Sequence, residues 1–245
     1  MVKITMVFCL LLFIFCGEAF AKSERIKTDN LVITYENISS EMAQKFAEQA
    51  EKGFRDITAY LSKKYRQGRI YIYVSDKHDM PRTTKDREVL IPANRIRGDA
   101  GGPPETAGRG PAIVHEPTHV IATSQGKPNR YLDEGLAVFM QEKFGADKSY
   151  PNMGEDVHRV TARLIKKVGE PVSIYKLEET RNSSMVGDLR RLAYLQEGSF
   201  VRYLIEKYGL DGFMAMYEGK SYEKVYKKSL EELERDWKEF IRGIE

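Results

Sequence analysis

The sequence HEPTH occupies residues 115–119 and contains two of the chain's four histidines. His115 and His119 are four residues apart, so a helix would place both imidazoles on one face, about one turn from each other. That geometry suits two of the four tetrahedral positions around a Zn²⁺ ion. Glu116 would then lie beside the metal, where it could accept a proton from the bound water and act as general base. The motif therefore predicts a zinc site with hydrolytic chemistry.

A third zinc ligand is expected from a second element, because catalytic zinc generally has three protein ligands and one open position. The sequence YLDEGLAVFM, at residues 131–140, predicts a helix that follows a short turn. Apolar residues nearly encircle this helix: Leu132, Leu136, Val138, Phe139 and Met140. Such a helix is buried, and a buried glutamate on it needs a partner, since an unpaired carboxylate is strongly disfavoured in an apolar interior. Glu134 is therefore the predicted third ligand.

The residues before the motif show strand and helix patterns in turn. Residues 30–37 (NLVITYEN) and 69–75 (RIYIYVS) alternate side-chain character and are rich in β-branched and aromatic types, which predicts strands. Residues 89–91 are a shorter strand candidate. Ser39 or Ser40 can cap a helix between the first two strands, where apolar residues recur at helical spacing.

The second half of the chain has mainly helical patterns. A Gly- and Pro-rich loop, either a connector or a segment that admits substrate, is expected at residues 99–111. Helical patterns follow at 112–123, 131–145, 157–168, 193–208 and 229–241. Strands first and helices afterwards indicate an α+β fold, with a small N-terminal mixed β-sheet and a mostly helical C-terminal part. We expect one domain over residues 22–245, strand-rich to 111 and helical from 112.

Residues 1–21 predict a secretory signal peptide. Lys3 precedes the apolar run Ile4–Cys16, and small residues at Ala19 and Ala21 suit cleavage after the second of them. The mature protein would then be secreted or periplasmic. Both cysteines of the chain lie in this segment, so the mature protein would have neither a disulfide nor a thiolate metal site.

Composition argues against two classes of partner. Charged residues make up 31% of the chain and the net charge is only +3, so the surface is mixed and nothing indicates binding to nucleic acid. No stretch after the signal segment approaches the roughly 18 apolar residues that a spanning helix needs. Stable insertion into a membrane is therefore not expected.

The two stretches carry a resemblance to a known family. HEPTHV followed by YLDEGLAVFM is similar to the HExxH and (W/Y)LxEGLA pair of the gluzincin metallopeptidases, particularly the peptidase MA-like group. The strand–helix–strand pattern before the motif, and the downstream segments AYLQEGSFVRYLIEKYG and LEELERDWKEFI, are also similar to that group. The resemblance thus covers most of the mature chain and implies a zincin-like fold.

The resemblance also implies roles for individual residues. His115, His119 and Glu134 match the family's zinc ligands and Glu116 its general base, acting on a peptide or protein substrate. Tyr194 is the candidate for stabilising the oxyanion, because in related enzymes a tyrosine or histidine from a downstream helix has this role. An aromatic residue that packs against the metal helix is the other interpretation of Tyr194.

Pro117 departs from a regular helix. A helix that starts near Pro111 or Ala112 would place Pro117 in its second turn, where proline costs about 3 kcal/mol or more and should kink the helix. The kink could turn His115 away from His119 and weaken metal binding, or the loop and Gly110 before the helix could absorb it. Three functions therefore stay open: a secreted zinc metallopeptidase, a catalytically impaired binding protein with the same fold, and a hydrolase of another amide.

Other polar residues are weaker candidates. Arg190, Arg191 and Arg202 could bind a substrate carboxylate, although arginines in an evenly charged chain are usually solvated. His78 and His158 could bind metal, but a surface loop and a helix start are the simpler interpretations of their positions.

Overall fold

A computed structural model describes residues 23–61, 68–98, 112–123, 128–145, 148–183 and 187–244. The predicted signal peptide and the predicted loop at 99–111 lie outside the described residues. Within them, no helix combines the length and the apolar character that crossing a bilayer requires.

A five-stranded mixed sheet forms the N-terminal part of the described chain. Its strands, in spatial order β1-β2-β3-β5-β4, are β1 (Glu24–Lys27), β2 (Leu31–Tyr35), β3 (Ile70–Ser75), β5 (Val89–Pro92) and β4 (Arg82–Thr83). The three central strands are parallel, and each edge strand is antiparallel to its neighbour. The central strands are the predicted ones. Both edge strands were missed because they are short and polar.

Helix α1 (Ser40–Tyr60) connects β2 to β3. As predicted, a serine caps it: the Ser39 hydroxyl accepts a hydrogen bond from the amide of Met42. The buried face of α1, which includes Phe46, Phe54 and Ile57, belongs to the same cluster of buried side chains as the inner face of the sheet. This cluster continues into the C-terminal helices.

The rest of the described chain is helical and follows the predicted order. The helices are α2 (Ala93–Arg97), α3 (His115–Thr123), α4 (Arg130–Phe144), α5 (Val157–Val168), α6 (Leu177–Ser183), α7 (Asp188–Tyr208), α8 (Leu210–Tyr217), α9 (Tyr222–Tyr226) and α10 (Leu230–Arg242). The predicted helices correspond to α3, α4, α5, α7 and α10, with α7 starting five residues earlier than its apolar pattern suggested. The predicted α+β architecture is confirmed.

Two glycines allow α4 and α7 to pack at very short range. A Cβ atom on Gly135 would clash with the main-chain carbonyl of Glu197, and one on Gly198 would clash with the side chain of Val138. Each glycine directly follows a buried glutamate, Glu134 or Glu197. The close approach of the two helices therefore brings the side chains of Glu134 and Glu197 near each other in the interior.

Replacing Gly135 by alanine should destabilise the protein. The new methyl group must push apart two packed helices, and overpacking of this kind costs about 1–3 kcal/mol of unfolding free energy. Urea denaturation followed by the fluorescence of Trp237, the single tryptophan and a fully buried one, would measure the change.

Gly212→Ala in α8 is the matched control. Its Cβ would lie 3.5 Å from Val225 and 3.6 Å from Tyr226, which is ordinary van der Waals contact. Alanine also favours helix by about 0.5–1 kcal/mol over glycine, so this variant should be at least as stable as the parent. Equal stability of the two variants would contradict the packing argument.

Candidate metal centre

Helix α3 begins at His115, later than the start near residue 112 on which the predicted kink depended. Ala112 has φ 57°, a left-handed conformation that a regular helix cannot include. Pro117 is consequently the third residue of α3. Amide groups in the first turn have no carbonyl partner within the helix, so proline removes little there. Pro117 therefore lies in the first turn of α3 and not in the second turn as predicted, between main-chain hydrogen bonds from the Glu116 amide to the Ala112 oxygen and from the Thr118 amide to the Val114 oxygen.

Three side chains from α3 and α4 converge on one point. Glu134 Oε2 lies 3.5 Å from His115 Nε2 and 3.6 Å from His119 Nε2. The three residues each offer one ligand atom, and these three atoms lie within 4.8 Å of one another. Atoms bound at 2.0–2.1 Å to a tetrahedral ion are about 3.3 Å apart. Two nitrogens and one carboxylate oxygen at this spacing fit the donor set of Zn²⁺.

The charges in this cluster are strongly coupled. Burial by itself would raise the pKa of Glu134, but hydrogen bonding from His115 and the positive charges of His119 and Arg181 lower it well below its usual range. Burial would lower the pKa of His119, yet the neighbouring carboxylates, Asp133 foremost, raise it to about 10. Without a metal, the site therefore combines a carboxylate with a protonated imidazole. A divalent cation would replace that proton.

Asp133 supports His119 from behind. Its Oδ2 lies 2.9 Å from His119 Nδ1, and its Oδ1 accepts a hydrogen bond of 2.7 Å from the hydroxyl of Tyr217. An imidazole that donates through Nδ1 keeps Nε2 free for a metal, and such carboxylate partners orient metal-binding histidines. Sequence reasoning missed both residues. Asp133 could have been noticed beside Glu134, whereas nothing local indicates Tyr217 on α8.

His115 has no equivalent support among the described residues. Its Nδ1 atom is buried and has no hydrogen-bond partner there. Its orientation therefore depends on packing and on the contact with Glu134.

Glu116 lies between α3 and the edge of the sheet. The hydroxyl of Thr83, on β4, is 3.1 Å from Glu116 Oε2 and 3.0 Å from the main-chain oxygen of the same residue. Glu116 is buried. A hydrogen bond from Thr83 can hold this carboxylate in one orientation. Thr83 was not anticipated, since β4 was not.

Tyr194 packs against two side chains outside α3. The guanidinium carbon of Arg181 lies 5.2 Å from its ring centroid, and the ring of Tyr150 lies 5.5 Å away, edge on. Burial, followed by the charge of Glu134, raises the pKa of Tyr194 to about 12. The phenol is thus protonated near neutral pH and can donate a hydrogen bond. Its role at an oxyanion stays a prediction.

The weaker candidates have other partners. Arg202 contacts the carboxylates of Glu142, Asp156 and Glu206 at 2.7–2.8 Å, which accounts for its charge without a substrate. His158 is buried, with Nδ1 2.8 Å from the hydroxyl of Ser199. Neither His158 nor His78 belongs to the cluster that the described residues form.

Comparisons with known proteins place few constraints on this chain. No protein-family model matches the sequence, and no curated protein matches it. Among solved structures, native yeast LTA4 hydrolase is similar with a TM-score of 0.43 at 14% identity. The complex of yeast LTA4 hydrolase with bestatin has the same TM-score at 13% identity. Both matches cover 91% of this chain and 38% of the other, so the chain spans well under half of those proteins' length.

Binding of zinc should release a proton at pH 7. His119 holds a proton up to about pH 10 in the metal-free protein, and an imidazole must lose it to bind a metal, whereas Glu134 is already ionised. Zinc titrated into metal-free protein by calorimetry, in buffers of different ionisation enthalpy, should show release of about one proton per ion. Apparent affinity should consequently rise with pH up to about 10. Heat that does not depend on the buffer would contradict this assignment.

Proposed function

We propose that this chain is a zinc-dependent hydrolase of the metallopeptidase type. The observation that carries the proposal is the convergence of His115, His119 and Glu134 on one point, with His119 held by Asp133. Zinc bound there would supply a Lewis acid that makes water more acidic and polarises a carbonyl group. The resemblance of HEPTHV and YLDEGLAVFM to the gluzincin motifs supports the same activity.

Glu116 is the proposed general base. Its carboxylate follows the first ligand directly in sequence and is steadied by the hydroxyl of Thr83. In this role it accepts a proton from water and returns it to the leaving amine, a transfer worth about 10²–10⁴-fold in rate. Tyr194 is the proposed donor to the oxyanion, through a phenol that is protonated near neutral pH.

The proposed substrate is a peptide or a protein, and the proposed site of the reaction is outside the cytoplasm. The predicted signal peptide at residues 1–21 supports export, to the periplasm or to the exterior. Another amide, such as a cell-wall peptide, would use the same residues. A binding protein with the same fold, its motif degraded by Pro117, is the alternative; the position of this proline in the first turn of α3 favours the hydrolase.

Glu116→Gln provides the central test. The variant should retain about one zinc per chain, since Glu116 is not a ligand, and lose about 10²–10⁴-fold in kcat/KM. Elemental analysis would give the zinc content, and a mixture of quenched fluorescent peptides would give the activity.

His115→Ala is the companion variant and should lose the zinc together with the activity. Full turnover by Glu116→Gln would exclude Glu116 as the base. A wild-type protein that contains zinc yet cleaves none of the peptides would contradict the peptidase assignment. One that takes up no zinc would contradict the metal centre itself.

Pro117→Ala tests whether the proline impairs the site. Because proline is tolerated in the first turn of a helix, zinc affinity and kcat/KM should both stay within about threefold of the wild-type values. A gain in activity of two orders of magnitude would instead support a motif degraded by proline. Competition with a chelator and the peptide assay would measure the two quantities.

A further inference from the structure

The two carboxylate oxygens of Glu134 face different groups. Oε2 lies between the two imidazoles, at 3.5 Å and 3.6 Å from their Nε2 atoms. Oε1 faces two arginines instead, at 3.4 Å from Arg181 Nη1 and 3.8 Å from Arg130 Nη2. One oxygen of the carboxylate, Oε2, thus faces the candidate metal position, and the other, Oε1, faces cationic side chains.

The two arginines differ in burial. The Arg181 side chain is only 2% exposed, whereas that of Arg130 is 62% exposed. Exposed ion pairs contribute little because water screens them, while charges in the interior interact strongly. Arg181 is therefore the group that can fix the orientation of Glu134.

Arg181 is itself held firmly in the interior. Its Nη1 donates a 3.1 Å hydrogen bond to Oε2 of Glu197, a fully buried residue on α7. Its guanidinium also lies over the ring of Tyr194. The close packing of α4 on α7 brings Glu134 and Glu197 to the same nitrogen of this arginine, Nη1. A cation fixed in this way has little freedom to follow Glu134 if that carboxylate turns.

We propose that Arg181 is a positioning residue that reserves Oε1 of Glu134, so that only Oε2 is available to a metal. The inference rests on the proposed metal centre and extends it to the mode of binding. A carboxylate that is free to rotate can bind a cation through both oxygens and occupy a further coordination position. With Oε1 held by Arg181, that position stays open for water or substrate, as catalytic zinc requires.

Removal of Arg181 alone would leave Glu197 buried without its cationic partner. The test is therefore made in a variant in which Glu197 has already been replaced. Glu197→Gln is this variant, because the neutral amide tolerates the loss of its cationic partner. The decisive comparison is therefore between Glu197→Gln and the double variant Arg181→Met/Glu197→Gln, both as full-length chains. Arg130→Met is the matched control, since it removes the exposed arginine from the same oxygen.

Two measurements report on the metal and one on the fold. The double variant should bind zinc more tightly than Glu197→Gln, measured by competition with a chelator, because the ion gains a second oxygen and a nearby positive charge is removed. Its Co²⁺ form should show a weaker visible absorption band, because a second oxygen from Glu134 raises the coordination number. Arg130→Met should bind zinc within about threefold of the wild type and keep the cobalt spectrum. Urea denaturation of the metal-free proteins would show that each variant is folded.

Arg181→Lys in the otherwise wild-type chain gives a second, independent comparison. It keeps a cation beside Glu197, but it replaces Nη1, the nitrogen that contacts both Glu134 and Glu197, with the ammonium of a side chain of different geometry. Its zinc affinity should fall between those of the wild type and the double variant.

Unchanged zinc affinity and an unchanged cobalt spectrum in both Arg181 variants would overturn the inference and leave the metal centre intact. An equal change of zinc affinity in Arg130→Met would also overturn it. If neither the wild type nor Glu197→Gln binds zinc or cobalt, the proposed metal centre fails and the inference fails with it.

Discussion

Glu134 carries a negative charge in the interior of the protein, and much of the surrounding structure serves to balance that charge. The residue is only 8% exposed, so solvent contributes little to stabilising the carboxylate. His115 and His119 approach one oxygen, and Arg181 approaches the other. A buried charge without such partners would cost several kcal/mol. The arrangement of α3, α4 and α6 around this residue follows from that requirement.

Close packing of α4 on α7 is what brings the balancing groups together. Gly135 and Gly198 remove the side chains that would keep the two helices apart. The glutamate before each glycine then lies near Arg181, which pairs with both. The same Glu-Gly pair in two helices thus has one structural role, to hold a buried cation between two carboxylates. The sheet contributes from the opposite side, where Thr83 on the edge strand contacts Glu116.

The regular parts of the fold could be predicted from the sequence because their signals are local. The central strands alternate in side-chain character, and the helix that carries Glu134 shows its burial in its composition. The start of α3 could not be predicted, since it depends on the left-handed backbone of Ala112, a conformation that alanine rarely adopts. Thr83, Arg181 and Tyr217 were missed because each meets its partner through a contact distant in sequence. Local patterns thus indicate the groups that could touch a metal, whereas the groups that orient them depend on tertiary structure.

The hydrogen bond from Tyr217 has a consequence for how the proposed metal centre would acquire its ion. Tyr217 lies 84 residues beyond Asp133, the residue that it aligns against His119. A nascent chain that has not yet reached α8 already contains both histidines and Glu134, but it lacks the phenol that fixes the supporting carboxylate. Capture of an ion at full affinity would therefore come late in biosynthesis, once α8 has emerged and docked.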